Sequence, residues 1–193
     1  MQNPEEMSSN GLHDLVKSSY KRNNEAEQLG ARHGYVLDHK LSNSEHKVFV
    51  DPDRQSSTVV FTGSRKASDW LVTDPAIALG LGKYTKRYKD SENVMKQVKE
   101  KYNGPTTTVG HSLGGWLGEN VKADKKYTVN KATGLGDVGK TIRSNQTDIV
   151  VDKDPVSVLS ATQKYKGNLI KVQNKNYNPL VSHDYKHITK INI

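Results

Sequence analysis

A serine flanked by glycines, Gly110-His111-Ser112-Leu113-Gly114-Gly115, lies between the strand-like run Thr106-Thr107-Thr108-Val109 and a stretch from Leu113 to Ala123 that suits a helix. This order restricts the fold more than any other feature. A chain that passes from strand to helix over so short a turn brings backbone against backbone, and glycine is the residue that leaves room for it. The serine between the glycines is then held in a strained, fixed position above a sheet. A serine hydroxyl is a poor nucleophile at neutral pH, and a fixed, exposed position beside a base is what activates it.

The rest of the chain supplies a sheet for this turn. Short β-branched and aromatic runs at Tyr35–Leu37, Lys47–Val50 and Thr58–Thr62 are separated by turn formers, Asp51-Pro52-Asp53 among them. They predict an antiparallel lead-in of short strands. Lys83 to Tyr102 reads as a charged surface helix that turns Tyr84, Tyr88, Val94, Val98 and Tyr102 towards the sheet and stops at Gly104-Pro105. Asp148–Val151 and Gly167–Val172 predict two more buried strands. Alternating strands and helices after residue 57 imply an α/β fold with a mostly parallel sheet flanked by helices. Residues 1–24 read as a polar leader with a short helix around Leu12, Leu15 and Val16, and residues 25–193 as a single domain.

Composition removes several alternatives. With no cysteine among 193 residues, disulfides, thiol catalysis and cysteine-ligated zinc are excluded, and no cofactor or metal is called for. No stretch approaches the roughly 20 apolar residues that span a bilayer, and Met1 to Tyr20 is too polar for a signal-peptide core. The expectation is a soluble protein, intracellular or peripheral to membranes. A net charge of +8 favours contact with anionic surfaces, membranes included. No aromatic-studded basic motif accompanies it, so nucleic acid is not expected as a specific partner. The pattern carries no signal for oligomeric state.

Where a serine sits on such an elbow, the acid and the histidine follow it in the chain. Only His183 and His187 come late enough; His13, His33, His39 and His46 all precede the serine. His111 is adjacent to Ser112, and neighbouring side chains on an elbow point apart, which leaves it a packing role. For the acid, Asp152 and Asp154 both follow Ile149-Val150-Val151, at the end of a strand where α/β sheets place functional groups. Asp154 precedes Pro155, which keeps it extended. The oxyanion calls for the Leu113 amide and a second donor from the loop after Thr58–Thr62.

These residues resemble the class 3, fungal triacylglycerol lipase-like α/β-hydrolases over about residues 46 to 190. The strongest match is Thr108-Val109-Gly110-His111-Ser112-Leu113-Gly114-Gly115, since that family's elbow carries His before and Leu-Gly-Gly after the serine. Val59-Val60-Phe61-Thr62-Gly63-Ser64 followed by Asp69-Trp70 resembles its oxyanion strand and implies Ser64 as the second oxyanion group, with Thr62 standing where the family usually has arginine. Asp154-Pro155-Val156 and Asn178-Pro179-Leu180-Val181-Ser182-His183 resemble its acid and closing histidine, favouring Asp154 over Asp152 and His183 over His187. The resemblance implies a lipase- or phospholipase-like serine ester hydrolase with a lipid or other acyl ester as substrate. It also places Thr73–Gly82 where the family carries a mobile lid, although a core helix fits that apolar stretch equally. The alternative is a catalytically silent hydrolase fold that binds membranes or a larger assembly.

Overall fold

The computed structural model describes residues 7–53, 55–64, 83, 85–173 and 183–185. Among the described residues the main sheet has seven strands lying side by side in this order: β1 (Val36–Leu37), β2 (His46–Asp51), β3 (Ser56–Phe61), β4 (Thr106–His111), β5 (Lys125–Val129), β7 (Gln146–Val151) and β9 (Asn168–Val172). Two short strands, β6 (Thr141–Ile142) and β8 (Lys164–Tyr165), pair with each other. β1, β2 and β3 are antiparallel neighbours, and every pairing from β3 to β9 is parallel. The sheet is thus mostly parallel with an antiparallel lead-in, as the sequence pattern implies.

Four helices cover it among the described residues: α1 (Ser9–Ser19), α2 (Asn23–Ala31), α3 (Lys86–Lys101) and α4 (Leu113–Asn120). α1 starts where the Ser8 hydroxyl accepts the Gly11 amide, and α3 where Thr85 accepts that of Tyr88, each satisfying an N–H that the helix itself leaves free. α3 buries Tyr88, Ser91, Val94, Met95 and Val98, one face at helical spacing. Because side chains alternate along a strand, Val59 and Phe61 meet α3 and α4 residues on one face, while Val60 and Phe49 meet α1 and α2 residues on the other. Burial on both faces is why these strands read as unbroken apolar runs.

The leader's short helix is α1, and its Leu12, Leu15 and Val16 are completely buried against the sheet. α2 and β5 have no counterpart in the sequence pattern. β5 begins Lys125-Lys126, yet Lys126 is buried and its Nζ donates to the carbonyls of Glu119 and Val121, closing the end of α4. Burial brings this ammonium down to about 8, with Arg143, Lys140 and Lys131 pushing the same way.

Beneath α4 the face presented by β5 and β7 is polar. Lys131 Nζ donates to both Glu119 and Asp148, Asp148 accepts further bonds from Thr128 and Gln146, and Lys140 pairs with Glu119. Burial raises the Glu119 carboxyl, but the two ammonium groups outweigh it and hold the group down to about 2. Thr73–Gly82, Asp69-Trp70 and Tyr84 lie outside the described residues.

Candidate active site

β4 ends at His111, and Ser112 follows with φ 57° and ψ −127° before α4 begins at Leu113. A non-glycine residue in this region is strained, and such strain persists only where surrounding structure enforces it. The enforcement is visible: the Ser112 amide donates to Val129 O at 3.0 Å, and its carbonyl accepts from Trp116 and Ala132. The glycines are required by contact. A Cβ on Gly110 would lie 2.2 Å from Gly114 O, and one on Gly114 2.1 Å from Phe61 O. As the first residue of α4, Leu113 has an amide without an acceptor inside the helix, close to where an oxyanion would form at Ser112.

The loop after β3 approaches the same place. A Cβ on Gly63 would sit 3.2 Å from Ser112 Cβ and 2.6 Å from His111 O, so the partly exposed Ser64 follows directly on a close approach to the elbow. Thr62 anchors this loop: its amide donates to Glu45 O, and its hydroxyl to Ser19 O at 2.9 Å. Arg87 from α3 donates to Thr62 O at 2.7 Å. A guanidinium therefore supports the loop although position 62 is threonine.

Asp154 lies just beyond β7, buried, while Asp152 is exposed. One Asp154 oxygen accepts from the Val156 amide and stands 2.9 Å from His183 Nδ1; the other accepts from the Ser157 hydroxyl at 2.6 Å. His183 is buried too. With Nδ1–H donating to the carboxylate, Nε2 is left as the basic end of the neutral ring. His187 lies outside the described residues.

His111 has more than a packing role. Its ring lies 4.7 Å from that of His183, its Nε2–H donates to His183 O at 2.7 Å, and its Nδ1 accepts from the Tyr20 hydroxyl at 2.8 Å. Burial, reinforced by the charge of His183, holds its pKa down to about 3, so the ring stays neutral. Tyr20 stacks on Tyr185, whose ring meets His111 edge-on at 5.6 Å. Sequence reasoning missed Tyr20, which stands 91 residues before His111, and no local pattern marks it.

A mostly parallel sheet carrying a strained serine at a strand-to-helix turn defines an α/β-hydrolase fold of the lipase type. The structure is similar to that of the MDLA protein of Penicillium cyclopium in a mutant form, with TM-score 0.56 and 16% identity over 88% of this chain and 80% of that one. It is similar to Lip2 lipase of Yarrowia lipolytica, with TM-score 0.55 and 15% identity over 90% and 80%. A structure described for an unusual buried polar cluster in a family of fungal lipases gives TM-score 0.54 and 17% identity over 88% and 80%. At these identities the likeness is one of fold. No curated protein sequence matches. The chain belongs to the phospholipase-like family of Tle-like phospholipase domains, which matches residues 9–182.

Proposed function

We propose that the protein is a serine carboxylic ester hydrolase that cleaves acyl esters of lipids, phospholipids foremost, through Ser112, His183 and Asp154. His183 Nε2 takes the proton of Ser112 Oγ as the oxygen attacks the ester carbonyl carbon. The resulting oxyanion is held by Leu113 and Ser64. Collapse of the tetrahedral species breaks the bond to the alkoxide, which receives the proton from His183. Water then attacks the acyl-enzyme by the same route and frees the acid. Asp154 fixes the imidazole's tautomer and stabilises the imidazolium.

The observation that carries this reading is the buried 2.9 Å contact between Asp154 and His183 Nδ1, tied through the His183 carbonyl to His111, whose chain neighbour Ser112 has a strained backbone. Membership in a phospholipase-like family supports the lipid substrate, and the net charge of +8 suits an anionic membrane surface. A fluorophosphonate probe is expected to label the protein and to leave Ser112→Ala unlabelled. An unmodified protein that resists the probe overturns the reading. Cleavage confined to short soluble esters keeps the serine hydrolase and removes the lipid.

A further inference from the structure

The junction of α1 and α2 opens a polar cleft of about 550 Å³ lined by Ser19, Tyr20, Lys21, Arg22, Asn43 and Lys47, among others. It adjoins the candidate active site. Tyr20 lines the cleft and places its hydroxyl 2.8 Å from His111 Nδ1, so one tyrosine side chain separates the cleft from the elbow. Ser19, at its edge, accepts the Thr62 hydroxyl and so touches the loop that leads to Ser64.

Lys47 is the residue that asks for a ligand. It is 2% exposed, and its Nζ donates to Asn23 Oδ1 at 2.8 Å and Asn43 O at 2.6 Å, both neutral oxygens. Among the described residues no carboxylate pairs with it. A buried charge is costly unless a counter-ion meets it, and burial holds this ammonium below the ordinary lysine range. An ammonium has three protons, and the two bonds leave one for a third acceptor. Lys21 and Arg22 add positive charge at the rim, against which the lining sets the single carboxylate Glu25, 3.1 Å from Lys21. The geometry is that of a subsite for a tetrahedral oxyanion, which accepts several charge-assisted hydrogen bonds at once.

We propose that this cleft binds a phosphate-type anion, and that it seats the phosphodiester of a phospholipid head group while the acyl ester lies at Ser112. The lipid half rests on the ester-hydrolase reading; the anion half stands without it. Two arms test them. In the first, Ser112→Ala is titrated calorimetrically with inorganic phosphate and with glycerophosphoglycerol, at ionic strength held constant with sodium chloride. Saturable binding is expected, weakened about tenfold by adding either Lys47→Met or Arg22→Gln, the loss of one charge-assisted bond. Tighter binding of the diester supports the head group; tighter binding of inorganic phosphate supports the anion site and refutes the head-group role. Absence of saturable binding by both overturns the proposal. Arg22 is exposed, so its variant decides the matter if Lys47→Met fails to fold.

In the second arm, KM is measured for dihexanoyl phosphatidylglycerol and for an uncharged short-chain ester. The ratio of the two is expected to rise about tenfold in the Arg22→Gln and Lys47→Met proteins. An unchanged ratio refutes the head-group role. A protein that cleaves neither ester fails the ester-hydrolase reading alone, because phosphate binding is read independently.

Discussion

Replacing Lys131 by methionine removes a buried ammonium and leaves two buried carboxylates without their shared counter-ion. Lys131, Glu119 and Asp148 have side chains that are 1%, 3% and 0% exposed, so water replaces nothing that is lost. Glu119 falls from an ordinary 4.5 to about 2 in the fold, a difference of about 3 kcal/mol at ~1.4 kcal/mol per pKa unit. Lys140 supplies part of that and stays in place. Asp148 keeps the neutral donors Thr128, Gln146 and Tyr165 but loses its ammonium partner. Breaking a buried pair from one side costs about 3–5 kcal/mol, which lowers the melting temperature of a chain this size by about 6–20 °C.

The pH dependence gives a second, sharper test of the same substitution. In the unmodified protein the folded Glu119 lies below its unfolded value, so its stabilisation is whole above about pH 4.5 and is lost as pH falls towards 2. In Lys131→Met the largest influence lowering Glu119 is gone, so its carboxyl moves up towards its unfolded value and the variant has less of this stabilisation to lose as pH falls. The gap between the two proteins therefore narrows on acidification. Melting followed by circular dichroism at pH 7, 5 and 4 measures it. A gap below about 1 °C at pH 7, or one that widens towards pH 4, refutes the reasoning.

Three further tests address the site. Asp154→Asn is expected to lower kcat by about 10⁴ while Asp152→Asn, at an exposed position, stays within a few-fold; similar losses in steady-state kinetics would misassign the acid. Tyr20→Phe removes the donor to His111 Nδ1 and should destabilise by about 1–3 kcal/mol and lower kcat; unchanged melting and unchanged kcat would make that bond idle. Gly114→Ala sets a Cβ 2.1 Å from Phe61 O and should abolish the folded protein, whereas Gly118→Ala, at 3.4 Å from Thr108, should express and melt within a few degrees of the parent.

The elbow is legible in sequence because its pattern is local: glycines 110 and 114 and the serine between them lie within one turn, where Gly110 meets Gly114 O, although the clash at Gly114 comes from Phe61 O on β3. Chain order narrowed the acid and base to two candidates each, since the direction of a parallel sheet limits which segments reach its carboxyl edge. Strands with both faces buried announce themselves as apolar runs, as Val59–Phe61 and Ile149–Val151 do.

Other features depend on partners far away in the chain. α1 passes for part of a polar leader because only Leu12, Leu15 and Val16 mark it, and their complete burial comes from Phe49, Val60 and Val109 across the sheet. β5 is masked by lysines whose burial makes sense only once α4 offers carbonyls to Lys126. Asp154 and Asp152 are two residues apart, and the fold alone buries one against His183 and leaves the other in solvent. Periodicity records which way a side chain points along its own element. What it meets there, Tyr20 at His111 or the neutral oxygens of Asn23 and Asn43 at Lys47, is decided by tertiary structure, because charges and hydrogen bonds act through space between residues that the sequence keeps apart.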